Sequence, residues 1–280
     1  MITLLALALL AGQAAAPAPP RPVEPPAVPA PVLQSQELRR FPAAEAGQGA
    51  AADATHFYAI VNNRIGKYDK RTGAKVGEWS GPRSTFPHLN SCAVIARELV
   101  CAMSNFPRVP MASSVEVFDP ATMTHKRSTS LGLGYGSLTW LDRRDGFWWA
   151  AYANYDEKGG EPGRDHRFTA FMKYDDRFQP VASWVFPDSV LERFKPTSSS
   201  GGSWGSDGLL YVSGHDAPEV YVMRLPPAGS TLEHVATIKV GFAGQAFAFD
   251  PADPRVIWSI DRPKREIVVT RLPAVTAERR

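Results

Sequence analysis

The sequence lacks the features that mark several large classes of protein. It holds only two cysteines and has neither an H-E-x-x-H nor a C-x-x-C motif, which argues against a structural zinc site. Its net charge is +3, and no basic cluster is long enough to mark a nucleic-acid surface, so nucleic acid is not an expected partner. No apolar run reaches the roughly 20 residues that a membrane-spanning helix needs.

The N-terminus has its own composition. The short apolar run 2–11 is followed by small residues up to Ala16, which is the layout of a secretory signal peptide. We therefore predict a signal peptide over residues 1–16, a periplasmic or secreted location, and no membrane contact after cleavage. An uncleaved membrane anchor is the alternative. The Pro- and Ala-rich residues 17–35 predict a linker, which leaves one domain at 36–275.

A repeated pattern of short strands fills that domain. Each unit has a strand that ends in an aromatic or apolar residue, then a polar turn, then a second strand. The turn residues Asp69, Asp119 and Asp175 lie 50 and 56 residues apart, close to the period of kelch-like propeller blades. Before each of these strand pairs lies another pair, whose second member is an almost continuous apolar run, as in a strand buried on both faces.

The pattern predicts an all-β fold, a β-propeller of five four-stranded blades. The fifth unit lacks a good fourth strand at its C-terminal end, and the segment Glu37–Phe41 is predicted to supply it and to close the ring. Six or seven blades are alternatives, and a β-sandwich is a further one that the 50-residue period disfavours. Residues 189–194 are compatible with a single helical turn.

The two cysteines, Cys92 and Cys101, are predicted to lie on adjacent strands of one hairpin. If the turn is Ala96–Arg97, they face each other and can form a disulfide; if it is Arg97–Glu98, they are only diagonal neighbours. Both a disulfide, which an exported protein permits, and a pair of buried thiols remain open.

One end of the propeller is predicted to hold the functional site. In a four-stranded meander, the turns between second and third strands emerge at the same end as the connections between blades. The polar residues at these positions are expected to line a pocket for a small molecule; they are Gln48, Asn62, Arg64, Arg83, His88, Asn90, Asn105, Tyr135, Asn154, His215, Asp216 and Gln245.

Each candidate is assigned a chemistry. His88 and His215 are the predicted catalytic residues, because histidine titrates near neutral pH, and Arg64 or Arg83 is expected to hold a carboxylate. No cofactor and no metal are expected. A Ca²⁺ site is the less favoured alternative; its oxygen ligands would come from Asn62, Asn105, Asn154, Asp216 and Asp261. Each residue also has an ordinary structural role as a turn former or a cap.

The segment Gly201–Gly205 matches the G-x-S-x-G pattern of hydrolase nucleophile elbows. That motif requires a strand before the serine and a helix after it. Here the serine lies within a predicted strand and an Asp207–Gly208 turn follows, so we interpret the match as coincidental.

Four segments resemble a family of exported bacterial β-propeller proteins labelled cycloisomerase-like; they are His56–Asn63, Ile65–Asp69, Gly136–Trp140 and Ser200–Asp216. The resemblance covers most of residues 37–272. It implies a propeller fold, export, and an isomerase or lactonase acting on a small carboxylate, akin to the muconate-lactonising propellers. The alternative is a non-enzymatic module that binds a sugar or a peptide. A monomer is expected in either case.

Overall fold

The computed structural model describes residues 29–276, which form a β-propeller of five blades. The strands of blade 1 are β3 (Gly49–Ala52), β4 (His56–Val61), β5 (Arg64–Asp69) and β6 (Lys75–Ser80). Those of blade 2 are β7 (His88–Ile95), β8 (Glu98–Ser104), β9 (Ala112–Asp119) and β10 (Thr124–Leu133). Those of blade 3 are β11 (Ser137–Arg144), β12 (Phe147–Ala153), β13 (Ala170–Tyr174) and β14 (Pro180–Val185).

The last two blades use segments from the N-terminal part of the chain. The strands of blade 4 are β15 (Gly201–Trp204), β16 (Leu210–Ser213), β17 (Glu219–Arg224) and β18 (Glu233–Lys239), and β1 (Val32–Gln34) is added parallel to β18. Those of blade 5 are β19 (Ala248–Phe249), β20 (Val256–Asp261), β21 (Glu266–Arg271) and β2 (Gln36–Pro42). A 3₁₀ helix (His166–Phe168) and one α-helix, α1 (Asp188–Phe194), are the helical elements of residues 29–276.

The predicted blade count and ring closure are confirmed. β2 pairs antiparallel with β21, so a strand from before blade 1 completes blade 5. Within β2, the Arg40 guanidinium binds Asp261 at 2.8 Å and Glu266 at 3.0 Å. β1 adds a contact that the sequence did not indicate, because it lies within the segment predicted as a linker. The predicted signal peptide, residues 1–16, lies outside the described residues.

Five apolar clusters lie between neighbouring blades and form the core. The cluster between blades 5 and 1, for example, contains Phe41, Phe57 and Trp258, while Trp140 and Leu210 belong to the cluster between blades 3 and 4. The second strands are buried almost throughout, as their continuous apolar sequences predicted. No helix in residues 29–276 is long and apolar enough to cross a membrane.

The cysteine pair forms a disulfide. Ile95 pairs with Glu98 across the hairpin, so Ala96 and Arg97 make the turn and Cys92 faces Cys101. The two turn residues have φ values of 49° and 66°, the left-handed conformation typical of two-residue hairpin turns. The first of the two alternatives is therefore confirmed.

The G-x-S-x-G match also has a structural role, as expected. Gly201–Trp204 is strand β15, and a turn containing Asp207 and Gly208 follows it. The Ser203 hydroxyl donates to the Asp142 carboxylate of blade 3 at 2.8 Å, and the Trp204 N–H donates to the same oxygen at 2.9 Å. The serine therefore joins two blades.

A buried carboxylate in blade 4 is expected to make the fold sensitive to acid. Glu219 is 1% exposed. Burial opposes its ionisation, but hydrogen bonds from Arg193, Lys239 and Tyr221 outweigh that effect and lower the Glu219 pKa to about 2. Because this pKa lies below its ordinary value of 4.5, the stabilisation is complete above about pH 4.5 and is lost as the pH falls towards 2.

Urea unfolding measured across this pH range tests the effect. In E219Q the free energy of unfolding should be lower at neutral pH and should fall less on acidification than in the wild type. The variant E78Q is the control, because the Glu78 side chain is 68% exposed. Parallel pH profiles for E219Q and the wild type would contradict the prediction.

Candidate functional site

A cavity of about 470 Å³ opens at the end of the propeller where the second-to-third-strand turns and the blade connections lie. We call this end the mouth face. Seven residues predicted for the site line the cavity: Gln48, Asn62, Arg83, His88, Asn90, His215 and Gln245. They come from blades 1, 2 and 4 and from three connections between blades, so the cavity is at the centre of the ring.

The other predicted residues do not line the cavity. Asn105 closes its own loop, donating to the Pro110 carbonyl and accepting from the Ala112 N–H. Asn154 is buried and donates to the carbonyls of Tyr135 and Phe168, at 3.1 and 3.0 Å.

The remaining three lie at the edge of the site or outside it. Arg64 is exposed at the start of β5, and the Tyr135 ring packs against Tyr152 at 5.4 Å. Asp216 lies behind His215 and binds its ring. Asp261, from the predicted Ca²⁺ set, is held by Arg40 and Lys264.

Two β-bulges direct side chains of the innermost strands into the cavity. In β7, Leu89 pairs with Met103 and Cys92 with Cys101, so two residues face one on β8 and Asn90 turns towards the channel. In β11, Thr139 is the extra residue between two regular pairs, and it also lines the cavity. A bulge adds a residue to one strand and re-aims its side chain. The disulfide residue Cys92 directly follows the first bulge.

His88 is a neutral hydrogen-bonding group near neutral pH. Its Nδ1 lies 2.9 Å from the Oδ1 of Asn62, and because an amide oxygen only accepts, Nδ1 carries the proton. Burial is the largest cause that lowers the His88 pKa, and the charges of Arg262 and Arg83 add to it, giving a value of about 4. Near neutral pH its Nε2 is therefore unprotonated, so His88 can accept a proton there but has none to donate from Nε2.

His215 is held between a carboxylate and a guanidinium. Its Nδ1 lies 2.7 Å from the Oδ1 of Asp216, and its Nε2 lies 3.2 Å from the Nη1 of Arg262. A guanidinium only donates, so Nε2 is the acceptor and Nδ1 donates to Asp216. The second oxygen of Asp216 accepts from the Thr197 hydroxyl at 2.9 Å, which orients the carboxylate.

The cavity is electropositive and has an aromatic wall. Arg83, Lys158 and Arg262 line it, and within residues 29–276 none of the three forms an ion pair; Glu157 is the one carboxylate in the lining. The rings of His88 and Phe106 are 5.0 Å apart, and Phe106 and Tyr155 are 5.1 Å apart. Cations without ion pairs beside a row of tilted aromatic rings suit an anion with an apolar body.

Hydrogen bonds and close backbone contacts constrain the chain next to His215. Gln245 has φ 70°, an uncommon conformation for a non-glycine residue, and is 2% exposed. Its N–H donates to the Gly214 carbonyl at 3.0 Å, while its own carbonyl accepts from Ser213 at 2.6 Å. Gly244 has φ 46°, and a Cβ there would lie 2.3 Å from the Gly214 oxygen. Only glycine fits at this position.

Alanine at position 244 is therefore expected to displace the segment that carries His215. G244A should weaken ligand binding in the cavity and lower the stability of the fold, because its methyl group would clash with the backbone of Gly214 and His215. G229A is the matched control: its φ is 86°, but a Cβ there meets no heavy atom within 4 Å, so only the conformational cost of about 1–2 kcal/mol applies. Equal unfolding free energies and equal ligand affinities for the two variants would contradict the prediction.

The sequence interpretation missed several lining residues. Arg262 and Lys158 line the cavity but are not among the predicted site residues. Phe106 and Tyr155 each follow a predicted site asparagine by one position. That adjacency was the available signal, since the residue after a second strand belongs to the same mouth-face turn.

Comparisons with known proteins bear on the fold. No protein-family model matches the chain, and no curated protein does. Among solved structures, a luciferin-regenerating enzyme aligns with a TM-score of 0.52 at 11% identity, covering 83% of this chain and 94% of that one. Hydrazine synthase from Kuenenia stuttgartiensis aligns with a TM-score of 0.47 at 12% identity, covering 81% and 70%. The chain's own topology defines a five-bladed β-propeller, and the first of these likenesses supports that fold alone.

Proposed function

We propose that the protein binds a small carboxylate with an unsaturated or aromatic body in the mouth-face cavity and acts on it as an isomerase or lactonase of the cycloisomerase type. The observation that carries this proposal is the set of three unpaired cations, Arg83, Lys158 and Arg262, around a cavity with one lining carboxylate. All three are exposed residues at the opening of the cavity, where an entering anion can accept charge-assisted hydrogen bonds from them.

The aromatic wall supports the apolar part of the ligand. Phe106 lies between His88 and Tyr155, with ring separations near 5 Å on both sides. A planar ligand placed against these rings would bury apolar surface while its carboxylate meets Arg83 or Arg262. A volume of about 470 Å³ lies within the range of roughly 300–1,000 Å³ found for small-molecule sites.

The two histidines support a reaction that moves a proton. In a cycloisomerisation, a carboxylate oxygen adds to a C=C bond and the neighbouring carbon gains a proton; the reverse reaction removes that proton. His88, neutral at physiological pH and with Nδ1 bound to Asn62, presents an unprotonated Nε2 that can accept this proton. His215, oriented by Asp216, is the second group that can carry a proton.

We also propose that the protein is exported and acts as a monomer. The buried disulfide Cys92–Cys101 is compatible with an oxidising compartment. Fractionation of the producing cells, with a thiol-labelling assay of the two cysteines, tests the location. Recovery of the protein in the cytosol with reduced cysteines would contradict export.

A ligand screen tests the function. Thermal shift across unsaturated and aromatic carboxylates should give stabilisation by binding, whereas the corresponding amides should not. R83Q should weaken binding about tenfold or more, as expected for loss of a charged hydrogen bond. R177Q is the control, since Arg177 lies in an exposed turn between β13 and β14 at the opposite end.

Turnover is tested separately by mass spectrometry and NMR on the ligands that bind. H88Q should retain binding and lose conversion, because glutamine keeps a hydrogen-bonding group but cannot accept the proton. Binding of carboxylates without conversion would contradict the enzymatic part. Preferential binding of neutral sugars or peptides would instead favour a binding module that uses amides such as Asn90 and Gln245.

A further inference from the structure

We propose that in the free protein the Arg262 guanidinium occupies the Nε2 of His215 through a hydrogen bond. An anionic ligand would free this nitrogen, because the guanidinium would bind the carboxylate of the ligand instead. Ligand binding would thereby release the Nε2 of a histidine already oriented for proton transfer. This inference rests on the proposed function, because it requires a carboxylate in the mouth-face cavity. It adds that Arg262 is the residue that couples binding to the chemistry.

The hydrogen bonds around His215 carry the first step. Nδ1–H donates to Asp216, and Asp216 is held in turn by the Thr197 hydroxyl. The ring therefore has one fixed orientation, and Nε2 is its unprotonated nitrogen. That atom accepts from Arg262 at 3.2 Å, so it is occupied while no ligand is present.

The surroundings of Arg262 carry the second step. Its neighbour in the chain, Asp261, is engaged with Arg40 at 2.8 Å and Lys264 at 3.3 Å, and Arg262 itself forms no ion pair within residues 29–276. The neutral imidazole is thus its hydrogen-bond acceptor. A carboxylate carries the opposite charge and can accept two parallel N–H bonds from a guanidinium, whereas the imidazole accepts only one, so a carboxylate in the cavity should displace the imidazole.

The other charged groups near His215 favour the same exchange. The positive charges of Arg262 and Arg83 both act on His88, on the same cavity wall, while Lys158 and Glu157 line the rim. Asp216 is the carboxylate in direct contact with the ring. An entering carboxylate therefore meets a positive field and, once bound to Arg262, leaves Nε2 open to the cavity.

The two histidines then differ in a way that sequence does not show. The Nδ1 of His88 binds the Asn62 amide, and no arginine donor contacts its ring among the described hydrogen bonds. His215 is the ring whose free nitrogen depends on the ligand. Only His215 is therefore expected to change its hydrogen bonding when a carboxylate binds.

Ring-nitrogen NMR of histidine-labelled protein tests the inference, with benzoate as the probe. Nitrogen shifts distinguish a free Nε2, a hydrogen-bonded Nε2 and a protonated ring, and the variant H215Q assigns the signals. In the wild type, benzoate should move the His215 Nε2 signal away from the shift of the nitrogen that is hydrogen-bonded to Arg262. In R262Q that signal should already be displaced without benzoate, and benzoate affinity should fall about tenfold or more.

K264Q is the matched control, because it removes one positive charge from the same turn. It should retain the wild-type His215 signal and the response to benzoate. Binding of benzoate that raises the melting temperature but leaves the His215 signal unchanged would overturn this inference and leave the proposed carboxylate site standing. Absence of benzoate binding by both measurements would overturn the inference, and failure of the whole carboxylate panel would overturn the proposed function as well.

Discussion

Replacement of Phe41 by alanine is expected to destabilise the protein by about 3–5 kcal/mol, the range for truncating a buried aromatic residue. Phe41 belongs to β2, the strand that closes the ring, and is 4% exposed. Its ring lies 5.2 Å from Phe57 of blade 1 and 6.0 Å from Trp258 of blade 5. The same substitution therefore creates a cavity and weakens the contact that joins the first and last blades.

L38A is the matched control for this prediction. Leu38 lies on the same strand but is 43% exposed, so its truncation should have a small effect. Urea unfolding gives both free energies, and hydrogen exchange of β21 should accelerate in F41A because its partner strand is held less firmly. Similar losses in F41A and L38A would show that ring closure does not depend on this packing.

Removal of the disulfide is expected to cost about 3 kcal/mol. The bond between Cys92 and Cys101 closes a loop whose sequence separation is 9, and a loop of this size is restrained in the unfolded chain by roughly that amount. Both sulfurs are buried, with residue exposures of 2% and 0%. The double variant C92A/C101A keeps the positions apolar, so its loss of stability reports mainly the missing bond.

The reductant provides an internal control. Dithiothreitol should lower the melting temperature of the wild type towards that of C92A/C101A and leave the double variant unchanged. Ligand affinity should also fall in the variant, because the disulfide adjoins the bulge that turns Asn90 into the cavity. Equal melting temperatures for the wild type and the variant would contradict the predicted stabilisation.

Local sequence signals were sufficient for the fold. The repeated turns after Asp69, Asp119 and Asp175, together with the apolar second strands, predicted the blades that the structure contains. The missing fourth strand of the last unit predicted closure by the N-terminal segment, and β2 fills that place. These signals are readable because strand periodicity and turn chemistry are properties of short stretches of chain.

The site was predicted less completely, because side-chain direction in loops depends on tertiary partners. Asn154, like Asn62, directly follows the second strand of its blade, yet its amide satisfies two backbone carbonyls and does not reach the cavity. The Cys92–Cys101 pairing depended on a turn of two non-glycine residues with positive φ, for which sequence gives little warning.

By itself, the sequence determined the five-bladed ring, its closure, and the end at which polar loops gather, because each of these follows from the order of strands and turns along the chain. The tertiary structure decided which of those loop residues face a common cavity. Arg262 of blade 5 reaches His215 of blade 4 across a sequence separation of 47 residues, and Phe106 of blade 2 meets Tyr155 of blade 3. Such contacts arise only when neighbouring blades pack together, since they join residues of different blades.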